Sequence, residues 1–228
     1  MYSFLFFLEE RIQINDLYLI LTQWGSDYEG LVYKNVEHVT ETDEIKLTNM
    51  ISNLLKEREV IVKAGADKGF TDPTAVVLSL YKPSTNEMWV IDEFYQRGAL
   101  LSDIEQGIEP MNLKKTIIRC DAASPDFIAY LNNKGYKAEA AKKGTGSVNA
   151  GISFLQDMKI YVIDKYCPYT AAEFDNYVYL KDKKTGLYTD KTDHNWSHAM
   201  DALRYAYSDL YNKPNKVNLT GKGFYNLY

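Results

Sequence analysis

Val60-Ile-Val-Lys-Ala-Gly-Ala-Asp67 opens the stretch that decides the fold, and two similar runs follow: Thr74 to Tyr81 (TAVVLSLY) and Glu87 to Phe94 (EMWVIDEF). β-Branched and aromatic side chains dominate all three, as a pleated, packed surface favours. Gly69 and the Asp72-Pro73 pair mark a tight turn just after Asp67, and Pro83-Ser-Thr-Asn86 reads as a hairpin loop, because these residue types supply the backbone angles that turns need. Three antiparallel strands in succession are expected, with Asp67 at the end of the first.

Downstream the pattern changes to alternating helix and strand. Ser102 and Glu105 have capping-box spacing ahead of a short helix with Ile104, Ile108 and Met111 on one side. Thr116 to Cys120 reads as a buried strand stopping at Asp121. Ser124-Pro125-Asp126 then starts a helix, with a hydroxyl cap and a proline at the first position, and Gly135 ends it. Tyr136 to Ala141 is a strand. The basic loop Lys142-Lys-Gly-Thr-Gly-Ser147 leads into a helix with Val148, Ile152, Leu155 and Met158 at core spacing, and Lys159 to Ile163 is another strand. Tyr169 to Asn176 is a short helix, and Tyr177 to Leu180 pairs with Leu187 to Thr189 as a hairpin with a lysine-rich tip. The sum is an α/β plan: a mixed β-sheet of three antiparallel strands and then parallel strands, flanked by helices. Asp67 and Asp121 each follow the carboxyl end of a strand, where sites gather in open α/β sheets.

Neither Gly nor Pro interrupts Asn195 to Asn212, so one closing helix is expected. His198 and Asp201 project side by side on it, while Met200, Leu203, Tyr207 and Leu210 form a separate apolar stripe. A carboxylate and an imidazole on a packed scaffold make half of a divalent-metal site; the rest of the chain must supply the other half. Upstream, Leu47, Met50, Ile51, Leu54 and Leu55 recur at helical spacing between Asp43 and Lys56, and Gly30 to Tyr33 reads as a short strand. The apolar opening Met1 to Leu8 lacks basic residues before it and a cleavage site after it, and runs into Glu9-Glu10. It reads as a packing segment, or as a fragment edge that once joined something upstream, and not as a leader, and it falls short of the roughly 18 residues of a membrane span.

Composition sets the outer limits. At 228 residues and 46% hydrophobic the chain can bury one core. A net charge of -5 gives no overall pull on nucleic acid, so DNA contact requires local basic patches. Lys142 and Lys143, with Lys181, Lys183 and Lys184, are the candidates for backbone phosphates. Cys120 and Cys167 form neither a disulfide framework nor a CxxC zinc spacing, which favours an intracellular protein. The 19 tyrosines follow no base-stacking motif and are assigned to packing. Asp72, Asp193 and His194 are assigned to turns and caps.

Three fragments together resemble a known family: Ala64-Gly-Ala-Asp67-Lys-Gly-Phe-Thr-Asp-Pro-Thr74, Ile118-Arg-Cys-Asp121-Ala-Ala-Ser-Pro125 and His198-Ala-Met-Asp201-Ala-Leu-Arg-Tyr205. In order and separation they are similar to the C-terminal nuclease domain of the large terminase subunit of tailed bacteriophages. Trp24 to Tyr33, Trp89 to Gly98 and Lys143 to Ile152 look like its intervening segments. The resemblance implies a ribonuclease H-like fold in which Asp67, Asp121 and Asp201 hold two divalent ions, Mg2+ or Mn2+, with His198 as a further metal ligand. It departs from the family at Ala66 and Lys68, which bears on packing or metal affinity. The implied activity is endonucleolytic cutting of concatemeric viral double-stranded DNA in the host cytoplasm. The implied partners are a terminase ATPase domain, a small terminase subunit and the portal, with no membrane.

The implied organisation is a connector over residues 1–41, the nuclease domain over 42–212 and a tail over 213–228. No GxxxxGK[ST] phosphate loop occurs, so the chain reads as an excised domain or a truncated gene product. Other readings remain open. Junction resolvases and transposases share the fold and the acids, and a silent docking module of the motor would carry the acids without using them. Asp67-Lys-Gly-Phe-Thr71 also resembles the phosphate loop of the actin and sugar-kinase superfamily, yet no second glycine-rich loop appears and that reading leaves Asp201 idle.

Overall fold

The computed structural model of the chain describes residues 28–211. The apolar opening, the rest of residues 1–27 and the tail over 213–228 lie outside the described residues. The strands are β1 (Val36–Val39), β2 (Ile61–Asp67), β3 (Pro73–Lys82), β4 (Glu87–Arg97), β5 (Ile117–Cys120), β6 (Lys137–Ala140), β7 (Lys159–Ile163), β8 (Tyr179–Lys181) and β9 (Tyr188–Thr192). The helices are α1 (Glu44–Lys56), α2 (Leu101–Ile108), α3 (Pro125–Asn133), α4 (Ser147–Gln156), α5 (Pro168–Asn176), α6 (His198–Ala206) and α7 (Ser208–Tyr211).

Seven strands form one sheet in the order β1-β7-β4-β3-β2-β5-β6. β2 and β4 run antiparallel to β3, while β5, β6, β7 and β1 join by parallel pairing. This is the mixed sheet expected from the sequence. β3 lies at its centre and is apolar on both sides because both faces are covered. Ala75 and Val77 point into a core shared with α4, α5 and α6, including Ile152, Phe174 and Leu203. Val76, Leu78 and Leu80 point the other way, into a core with Leu47, Ile104, Ile108, Phe127 and Leu131. That alternation is the two-residue period of a strand.

Several local expectations are corrected. Gly30 to Tyr33 is not a strand: a 3-10 turn covers Tyr28–Gly30, and Leu31 makes an isolated bridge to Val178. The strand lies further on, at β1, which pairs in parallel with β7 from Val36↔Ile160 to Val39↔Ile163. Part of the stretch expected to be a connector is therefore the edge of the sheet. Ser124 makes no side-chain cap; the Ala123 N–H donates to Asp121 Oδ1 instead, at 2.7 Å. At α2 the reach-back is made by Asp103, whose Oδ2 accepts from the Leu100 N–H at 2.9 Å, and not by the Ser102 and Glu105 pair. Val148 is exposed. The closing helix is broken at Tyr207, which is fully buried with its hydroxyl 3.0 Å from Ser79 Oγ, while Ser208 Oγ accepts from the Lys142 N–H at 3.1 Å. Tertiary contacts at these two residues override local helix propensity.

The edge strand is held by charge. His38 lies between Asp164 and Asp175, its ring nitrogens 2.8 and 3.1 Å from their carboxylates. Hydrogen bonds to Asp164 and then Asp175 raise its pKa to about 10 from 6.5. A folded-state pKa above the unfolded value contributes stability that is fully present below about pH 6.5 and lost as pH rises toward 10. His38→Gln is therefore expected to lower the melting temperature at pH 6 but hardly at pH 10.5, measured by circular dichroism. An equal loss at both would rule out the charged clamp.

Candidate metal centre

β2 and β5 are parallel neighbours, with Ala66 opposite Cys120, and the Asp121 N–H donates to the Ala66 carbonyl at 3.1 Å. Asp67 and Asp121 are thus set side by side at the carboxyl end of the sheet. α6 brings the third acid by lying directly on β2. A Cβ built at Gly65 would fall 1.9 Å from the Ala202 carbonyl oxygen, so only glycine allows this approach. The next residue along β2 but one is Asp67, and the residue before Ala202 is Asp201.

Each carboxylate is mostly buried, with 16% of the Asp67, 19% of the Asp121 and 18% of the Asp201 side chain exposed. That leaves each an opening to solvent. Asp67 Oδ2 lies 3.5 Å from His198 Nδ1. Asp121 accepts from Lys143 Nζ at 2.5 Å and from the Tyr205 hydroxyl at 3.1 Å. Asp201 pairs with Arg204, one turn along the same helix.

The electrostatics follow from this arrangement. Burial pushes the Asp201 carboxyl above its ordinary range and the charge of Asp67 adds to the rise, against the pull of Arg204. Burial alone would also raise Asp121, but the Ala123 amide and Lys143 hold it below the usual carboxylate range. For His198, burial works against the charged form, yet Asp67 and Glu173 prevail and raise it. The Tyr205 phenol is raised by burial and then by Asp201, Asp67 and Asp121 together.

Of the lysines singled out from the sequence, Lys143 lies in the site. The backbone of Lys142 anchors its loop to Ser208, whereas Lys181, Lys183 and Lys184 are exposed on the separate β8–β9 hairpin. Asp193 caps the turn at Asn195 as expected. Arg204 and Tyr205 were given no role by the sequence reading. Their only signal is position, at three and four residues past Asp201 on one helix.

Residues 67–209 match a family model described as the terminase RNase H-like domain. The chain belongs to this terminase family. It is 30% identical over 150 residues to the large terminase subunit of Bacillus phage SPP1, covering 64% of this chain and 35% of that protein. It therefore spans about a third of that relative's length. The nuclease domain of the SPP1 large terminase, solved with bound Mn, is similar at 25% identity and a TM-score of 0.67, over 78% of this chain and 97% of that one. The P22 large terminase nuclease domain shares the fold, at a TM-score of 0.56 and 15% identity over 78% and 91% of the two chains.

Among the described residues of the terminase domain, no three His, Cys, Asp or Glu side chains are clustered tightly enough to hold one ion. Asp121 and Asp201 are each paired instead with a basic side chain, Lys143 and Arg204. In kind, the residues fit a divalent ion. Three carboxylates suit a hard cation such as magnesium, and the imidazole widens the choice toward manganese. Among the described residues, no helix is long and apolar enough to cross a membrane.

Proposed function

We propose that the terminase domain is a metal-dependent DNA endonuclease that cuts concatemeric viral DNA during packaging. One observation carries the reading: Asp67 and Asp121 follow the paired residues Ala66 and Cys120 at the ends of the parallel strands β2 and β5, and α6 lies on Gly65 of β2 with Asp201 beside the contact at Ala202. Asp67, Asp121 and Asp201 would hold two divalent ions, with His198 as an additional ligand on the Asp67 side. Such ions lower the pKa of a coordinated water and stabilise charge on the attacking and leaving oxygens of a phosphodiester.

The chain's own groups do the rest. Tyr205 orients Asp121 through its hydroxyl. Lys143, which pairs with Asp121 at 2.5 Å, would take a DNA phosphate when Asp121 serves as a metal ligand. Lys142, Lys181, Lys183 and Lys184 would grip the backbone, and such contacts position a duplex without reading its sequence. Double-stranded DNA, a terminase ATPase domain, a small subunit and the portal are the partners in this reading, and the host cytoplasm is the place. The nuclease unit, taken as residues 42–212 from the sequence, extends in this reading back to β1.

The test is plasmid cleavage by the purified chain with Mn2+ or Mg2+ and with EDTA. Nicking and linearisation that EDTA removes are expected; no cleavage with either metal would overturn the reading, and a marked preference for four-way junctions would favour a resolvase. His198→Ala is expected to weaken Mn2+-supported cleavage about tenfold or more and Mg2+-supported cleavage less, since imidazole suits the softer ion. Equal losses would argue against ligation by His198.

A further inference from the structure

Two buried glutamates link the elements behind the site in series. On β4, Glu93 Oε1 accepts from the Tyr169 N–H at 2.7 Å, and its Oε2 accepts from the Thr170 N–H at 2.8 Å and the Thr170 hydroxyl at 2.6 Å. Those amides open α5. On α5 in turn, Glu173 Oε2 accepts from the Ala199 N–H at 2.8 Å and the Met200 N–H at 3.1 Å, while its Oε1 accepts from the Tyr95 hydroxyl at 2.8 Å. Those amides open α6.

The first amides of a helix have no partner within it, and the local candidates do not help here. Neither Cys167 before α5 nor Ser197 before α6 makes a side-chain cap. A carboxylate from a preceding element does so in each case, across 76 and 77 residues for Glu93 and 26 and 27 for Glu173. Glu173 is only 1% exposed. Burying a carboxylate is costly unless its oxygens are hydrogen-bonded, and both of its oxygens are. The two amides it holds belong to the residues between His198 and Asp201.

We infer that Glu173 is a positioning residue of the metal centre: by fixing the first turn of α6 it sets His198 and Asp201 against Asp67 before any ion arrives. This rests on the proposed reading of Asp67, Asp121 and Asp201 as metal ligands. It follows that loss of the cap lowers metal affinity even in a chain that remains folded, because ligand orientation is governed by the residues that support the ligands.

The experiment is Mn2+ binding to the full 228-residue chain, by calorimetry at low temperature with folding checked by circular dichroism. The variants are Glu173→Met, Glu173→Gln, Tyr95→Phe and Asp67→Asn. Glu173→Met keeps the length but offers no acceptor, and its Mn2+ affinity is expected to fall about tenfold or more. Glu173→Gln should return close to the parental affinity, since its amide oxygen can accept both N–H groups and the Tyr95 hydroxyl can turn to accept from its NH2. A folded Glu173→Met with parental affinity overturns the inference. If Glu173→Met does not fold, Tyr95→Phe decides: it keeps the ring but removes the donor steering the Glu173 carboxylate, so weaker binding supports the inference and parental binding overturns it. Asp67→Asn, which leaves the Asp201–Arg204 pair intact, separates the two claims. Parental Mn2+ affinity in that variant removes the metal-centre reading and the inference with it, whereas lost affinity there with no effect at Glu173 overturns the positioning role alone.

Discussion

Asp67→Asn is expected to cut plasmid cleavage by about a thousandfold or more, equivalent to about 4 kcal/mol of transition-state stabilisation, while changing the melting temperature little. Asparagine has the shape of aspartate, so the turn after β2 is undisturbed. What it removes is a charge that helps raise Asp201 and that also holds His198 at 3.5 Å. Because that charge helps raise the Asp201 carboxyl in the folded state, its loss relieves repulsion between two mostly buried acids. The relief at Asp201 offsets the lost pairing with His198, so cleavage is expected to fall with little net change in stability.

Asp121→Asn and Asp201→Asn are expected to match the loss of cleavage by different routes. Asp121→Asn leaves Lys143 without its 2.5 Å partner. Asp201→Asn leaves Arg204, which is only 5% exposed, without a counter-charge, and an unpaired buried charge is strongly destabilising. Of the three, Asp201→Asn should therefore show the largest fall in melting temperature. Plasmid assays and thermal melts of the three variants are the measurements. Full cleavage by any one of them takes that residue out of the centre, and a stable Asp201→Asn would contradict the pairing with Arg204.

The central sheet was legible because β2, β3 and β4 are consecutive, rich in branched residues and separated by Pro- and Gly-containing turns, so local pattern and tertiary role agree. β1 was not, because Val36-Glu-His-Val39 is an edge strand with outward polar residues, held by Asp164 and Asp175 from far along the chain. The acids could be placed at strand ends from turn punctuation alone. Their present partners could not, since Lys143 on Asp121 and Tyr205 on Asp121 depend on which loop and which helix close over β5. Glu173 is the clearest case. In Ala171-Ala-Glu-Phe-Asp-Asn176 it looks like an ordinary solvated helix acid, and only the docking of α6 turns it inward. A pairwise spacing rule sees contacts within an element and misses those between elements.

That docking leads to the second large effect. Gly65→Ala should lower the melting temperature by about 2 to 12 °C, taking overpacking at about 1–3 kcal/mol and about 2–4 °C per kcal/mol for a domain of this size. The added methyl would meet backbone at 1.9 Å from the Ala202 oxygen and 2.8 Å from the Ala206 nitrogen, and backbone in the middle of a helix cannot rotate away as a side chain can. α6 must lift from β2 as a body. Asp201 adjoins Ala202, so the same movement carries it from Asp67, and a misplacement of about 1 Å in a reacting constellation costs about a hundredfold in rate. Gly144→Ala is the control, because its Cβ meets nothing within 4 Å, and its melting temperature should stay near the parent's. Thermal melts and cleavage well below the transition test this directly. Gly65→Ala with parental stability and activity would show that α6 does not rest on β2 at this distance, and the placement of Asp201 beside Asp67 would lose its structural basis.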